Sequence, residues 1–118
     1  MHEFNICQTI VDTVNEHASR LPNPSARITK TVIVMGLLRQ LVPEYMQTAY
    51  EILTKGTKAE GSVLEVKHEA VTFTCDACGK VNKTTEIKFS CPSCGSKRGR
   101  VDGGRELYLE SLEVEEDE

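Results

Sequence analysis

Aromatic side chains are scarce: 118 residues hold three tyrosines, three phenylalanines and no tryptophan. That argues against a surface built to stack nucleic-acid bases, which relies on aromatic faces. No apolar run approaches the ~20 residues that a bilayer crossing needs, so no membrane span is expected. No Ser, His and Asp set can be assembled into nucleophile, base and orienting group by any spacing argument, and no catalysis is inferred. With no leader-like segment, five cysteines point to a reducing, cytoplasmic setting in which disulfides are not expected.

What the chain does have is Cys75-Asp-Ala-Cys78 and Cys91-Pro-Ser-Cys94, two CxxC pairs separated by twelve residues. Two residues between thiols let one tight turn present both sulfurs to a single ion, and two such turns complete a tetrahedral four-sulfur shell. Gly79 and Gly95 follow the second cysteine of each pair, where the turn needs positive φ. No His, Asp or Glu is spaced to replace a cysteine and leave an open position. Cys75, Cys78, Cys91 and Cys94 therefore read as ligands of one structural, non-catalytic Zn2+ per chain. The polar sequence between the pairs cannot fold on apolar burial alone, and structural zinc binding is worth about 10–16 kcal/mol in small peptides.

The formal charge is −4, unlike that of most nucleic-acid modules. Its distribution leaves a local basic surface open. Lys80, Lys83, Lys88, Lys97, Arg98, Arg100 and Arg105 surround the knuckles against Asp76, Glu86 and Asp102, although solvated lysines that keep a loop soluble explain the same cluster. Residues 113–118 hold five acids in six positions and read as a solvated end.

In chain order, Cys7, Ile10, Val11, Val14, Ala18 and Leu21 recur at three- and four-residue steps and predict an amphipathic helix over 4–21, stopped by Pro22-Asn23-Pro24. Cys7 lies on that stripe as a small core residue, and His17 lies off it as a surface side chain. The β-branched run from Ile28 to Met35 suits a central strand closed by Gly36. Val42-Pro43-Glu44 reads as a helix start, with Gly56 as its C-terminal cap. Residues 62–74 form a strand whose apolar parity slips near His68 to Ala70, with His68 facing solvent. Gly103-Gly104 turns into a last strand from Arg105 to Val114 with a similar slip. These two strands are expected to pair through matching bulges beside the strand at 28–35. The fold class is α+β: two helices packed on a three-stranded sheet, with a four-cysteine zinc-ribbon-like module inserted between the last two strands. The expected organisation is an α/β domain over 1–72, a four-cysteine zinc-binding domain over 73–102, and a final strand with acidic tail over 103–118.

Met1-His2-Glu3 gains meaning from its position. With histidine second, a free α-amine, the His2 amide nitrogen and the His2 imidazole can close fused chelate rings around one ion. Coplanar nitrogens including a deprotonated amide suit Ni2+ or Cu2+ and not zinc. Glu3 offers a fourth donor through its nitrogen or carboxylate. A plain solvated terminus is the alternative these residues leave open.

Met1-His2-Glu3 ahead of an amphipathic helix, Pro43-Glu44 with Ala49-Tyr50-Glu51, the stretch from Gly56 to Gly61, and the paired knuckles together resemble the HypA/HybF family over nearly the whole chain. These are nickel metallochaperones of [NiFe]-hydrogenase maturation. The resemblance implies that Met1, His2 and Glu3 bind Ni2+ as transferred cargo, while Cys75, Cys78, Cys91 and Cys94 hold zinc. It also implies work with the maturation GTPase HypB, delivery to the hydrogenase large subunit and, in some bacteria, a role in urease maturation. Asn5 and Arg39 stand where relatives commonly have serine, which bears on partner choice more than on metal. The segment from Cys75 to Cys94 has no histidine, so the extra nickel ligand that some relatives carry there is not expected.

Two other readings have their own signatures. A zinc-ribbon module that binds nucleic acid or an acidic partner through Lys80, Lys83, Lys88, Lys97, Arg98 and Arg100 predicts binding that weakens steeply with salt, yet only Phe73 and Phe89 are near enough to stack. A thiol redox enzyme would need freely cycling dithiols, which four coordinated thiolates are not.

Overall fold

The structure, a computed structural model, describes residues 2–85 and 90–116. It has α1 (His2–Ala18), β1 (Arg27–Gly36), a 3-10 turn (Leu37–Arg39), α2 (Pro43–Leu53), β2 (Val63–Glu69), β3 (Val71–Cys75), β4 (Val81–Thr84), β5 (Gly99–Asp102) and β6 (Leu107–Glu115). The chain divides into two compact units, Met1–Ile33 with Leu41–Val66 and Tyr108–Glu118, and Val34–Gln40 with Lys67–Leu107.

In the first unit the predicted stripe is the buried face of α1: Cys7, Ile10, Val11, Val14 and Ala18. The helix starts two residues earlier than the stripe implied and ends earlier as well. At its end the bonds Arg20 N to His17 O and Leu21 N to Ala18 O tighten to a three-residue span before Pro22 prevents continuation. Leu21, assigned to the stripe, lies past the helix and is half-buried. Pro43 opens α2 at its first turn, as read, with Val42 as N-cap. Its C-cap is Thr54 rather than Gly56, and Gly56 takes positive φ (79°) in the turn beyond. The helices meet where the Cys7 thiol donates to Met46 O (3.4 Å). Tyr50 fixes α2 on β1 through its hydroxyl, 2.7 Å from Thr31 Oγ1 and 2.6 Å from Ser62 Oγ. Gln47 Nε2 donates to Leu64 O of β2 (2.8 Å).

Strand order in the first sheet is β2-β1-β6. The β-branched run is the central strand, buried from Thr31 to Gly36. The expected pairing of the second long strand with the last is wrong, because β1 lies between them. Lys30 of β1 shows the order directly, with Nζ 3.0 Å from Glu65 of β2 and 3.5 Å from Glu113 of β6. The parity slip near Ala70 marks the point where the chain leaves one sheet and joins another, and the slip at Glu110–Ser111 stays within β6.

The second unit holds a sheet of order β4-β3-β5, antiparallel on both sides of β3. Phe73 lies opposite both Asn82 and Val101. The segment after β1 also belongs here: Gly36 N bonds Glu106 O and Leu38 N bonds Gly104 O (both 2.7 Å), and Arg39 Nε donates to Arg105 O (2.9 Å). Backbone touches backbone at this clasp. A Cβ on Gly36 would lie 2.2 Å from the Gly104 carbonyl, and one on Gly104, at φ +90°, 2.5 Å from Val71 Cγ1.

Candidate metal centre

β3 ends on Cys75, and the chain turns at once to bring Cys78 back beside it. Gly79 N donates to Cys75 O (3.0 Å) and Cys75 N to Lys80 O (2.9 Å). The second pair repeats the pattern, Gly95 N to Cys91 O and Cys91 N to Ser96 O, both 2.8 Å. Gly79 and Gly95 take φ of 74° and 75°, which a side chain would resist. The same local sequence logic thus builds two like knuckles.

Together they bring four Sγ atoms within 4.8 Å of one another, with Cys75 to Cys94 at 3.6 Å and Cys78 to Cys91 at 3.5 Å. A disulfide would be far shorter, near 2.05 Å. A tetrahedron of thiolates about 2.3 Å from a central zinc has edges of about 3.8 Å, so spacing and donor type both fit that ion. The inner cover is apolar, since Phe73 and Val101 pack against Cys75 and Cys91. Room for it comes from Gly99, opposite Cys75, where an added Cβ would lie 2.5 Å from the Phe73 ring. Sequence reading missed Phe73 and Gly99 in this role; the alternation Val71-Phe73-Cys75 was the available signal.

The protons divide unevenly over the four thiols. The Cys78 N–H, then that of Ala77, holds Cys75 below the ordinary thiol value. The Cys94 N–H in the same way brings Cys91 down to about 6. Cys78 and Cys94 go up, the latter to about 11. The Lys80 and Ser96 N–H groups are their largest single influences and pull downward, but neighbouring thiols and burial together outweigh them. Sulfurs this close cannot all ionise without a cation between them. A metal ion held among them would supply that cation and displace the remaining protons.

At the other end of the chain, α1 begins at His2, which is exposed; Met1 lies outside the described residues. Glu3 is half-buried, and its Oε2 accepts the Val42 N–H at 3.0 Å. That bond, followed by Glu3's own N–H, holds the carboxyl below the usual range. Sequence reading missed Val42 as the partner of Glu3. An N-cap without a polar side chain was the clue. His17 and His68 are exposed, as expected. Of the two aromatics proposed near a basic surface, Phe73 is buried, whereas Phe89, like Lys88 and Glu86, lies outside the described residues. Arg100 is paired with Asp102 at 3.0 Å.

A small α/β unit and a separate sheet ending in two CxxC knuckles define a metal-binding protein of the zinc-ribbon-bearing kind. Residues 1–114 match the family described as hydrogenase/urease nickel incorporation, metallochaperone, HypA. Among relatives, the hydrogenase maturation factor HypA of Caldanaerobacter subterraneus subsp. tengcongensis is 36% identical over 98% of this chain and 100% of its own length. That of Aquifex aeolicus is 32% identical over 99% and 100%. The solution structure of a HypA protein shares the fold with a TM-score of 0.62 at 25% identity, covering 96% of this chain and 95% of its own. The solution structure of the Ni metallochaperone HypA from Helicobacter pylori does so with a TM-score of 0.57 at 24% identity, covering 94% and 95%. The chain belongs to the HypA family of nickel-incorporation metallochaperones.

Proposed function

We propose that this chain carries Ni2+ on Met1, His2 and Glu3 and passes it on for maturation of [NiFe]-hydrogenase, while Cys75, Cys78, Cys91 and Cys94 hold a structural zinc. The proposed partners are the GTPase HypB and the hydrogenase large subunit, with urease maturation as a second destination, in the cytoplasm. Residues 1–72 with 103–118 serve the nickel end and 73–102 the zinc.

The observation that carries the nickel reading is the start of α1 at His2. The N–H groups of His2, Glu3 and Phe4 fall in the first turn, where no helix carbonyl is available to them. The His2 nitrogen is therefore not tied into the ladder and can be deprotonated. The chelate rings through the amine, the His2 nitrogen and the imidazole close about the Met1 ψ and the His2 χ1, neither of which the helix fixes. Extending the plane to the Glu3 nitrogen would require a His2 ψ near 0°, against about −42° in a helix. The fourth donor is therefore the Glu3 carboxylate, or the Glu3 nitrogen once the first turn unwinds. Such an open-edged site at an exposed end releases its ion stepwise, as a carrier must, whereas a four-thiolate cage retains its own.

Calorimetric titration of untagged protein should show one Ni2+ bound per chain, lost in His2→Ala and in an N-terminally extended form, each still holding one zinc. Native nickel affinity in the extended form would reject the assignment.

A further inference from the structure

The four sulfurs are not equivalent. The first cysteine of each pair, Cys75 or Cys91, is 1% exposed beneath Phe73 and Val101, whereas the second, Cys78 or Cys94, is open to solvent. Cover therefore falls on one sulfur of each pair and is missing from the other.

We propose that Cys78 and Cys94 form the exchange edge of the four-cysteine site, through which zinc-competing donors and thiol-seeking electrophiles enter, and that Cys75 and Cys91 are its anchor. This rests on the reading of the four cysteines as zinc ligands. In exchange, a lone pair from a chelator bonds the ion as the Cys78 or Cys94 sulfur departs with its own pair and takes a proton from water. With N-ethylmaleimide, the same sulfur adds to the carbon–carbon double bond, an S–C bond forms, the neighbouring carbon takes a proton from water, and the resulting thioether is a much weaker ligand. The knuckle geometry gives each pair one sulfur of each kind, so neither pair is the weak one. The division runs across the site, within both turns alike.

The test uses zinc-loaded full-length protein, treated with N-ethylmaleimide to less than one label per chain. After unfolding, the remaining thiols are blocked with the deuterated reagent and the peptides are compared by mass spectrometry. Label on Cys78 and Cys94 is expected to exceed that on Cys75 and Cys91 by ~10-fold or more, as their exposure dictates. Zinc release, followed with a metallochromic dye, should keep pace with label on those two. Equal labelling of all four, or an excess on Cys75 and Cys91, in protein shown by elemental analysis to hold its zinc overturns the proposal. Protein that holds no zinc overturns instead the four-cysteine reading beneath it.

Discussion

Cys7 lies one turn along α1 from Glu3, wholly buried, and its thiol is pushed up to about 11 by burial, with the Glu3 charge adding to the rise. An unfolded chain releases that proton near the ordinary 9.0; the folded one does not. Folding stability from this group is therefore complete below pH 9 and falls away as the pH rises toward 11. In denaturant titrations the advantage of the native protein over Cys7→Ala should be larger at about pH 8 than at about pH 10. An advantage that grew with pH would contradict a neutral buried thiol. Glu3 works in the opposite direction. Its lowered carboxyl contributes above the ordinary 4.5, and that contribution disappears as acid protonates it.

Among the elements, α2 depends on hydroxyl contacts as well as apolar ones. Tyr50 OH stands between Thr31 of β1 and Ser62, and Thr31 is fully buried. Tyr50→Phe leaves the Thr31 hydroxyl without this partner in the core, and a loss of about 1–3 kcal/mol in unfolding free energy is expected by urea denaturation. What the sequence revealed about elements followed the range of the signal. Both knuckles, both helices and the central strand rest on residues within a few positions of each other, and all were legible. Neighbours in a sheet were not, because two strands with parity slips look alike whether the slip is a bulge or a change of sheet. β4 and β5, Val81–Thr84 and Gly99–Asp102, were missed for a related reason: each is four residues long, with one apolar side chain, and is held by main-chain bonds to β3. The hold of Val34–Gln40 on Gly104 and Arg105 was also invisible, since glycine against glycine leaves no side-chain pattern to read.

For the whole molecule, the two units stand on different footings. The first has an apolar centre made by Ile10, Val11, Val14, Ile28, Ile33, Met46 and Tyr50, whereas the sulfur-bearing cluster in the second consists of Phe73, Cys75 and Cys91 with Val101 beside them. A cluster that small does not offset the chain entropy of its own strands without help from an ion. Stripping the proposed zinc with a strong chelator should therefore speed amide hydrogen exchange through residues 71–102 while α1 and α2 keep their protection. Uniform loss of protection would mean that the first unit also depends on the metal.

The polypeptide changes unit after Ile33, again after Gln40, again after Val66 and again after Leu107. Neither unit is thus a contiguous piece that a single cut could release. A graft of the cysteine-bearing half onto another protein must carry a seven-residue strip, Val34–Gln40, from the distant end of a strand as well as the obvious stretch. Gene fusions or truncations that treat it as a cassette will leave Gly104 facing an empty seat.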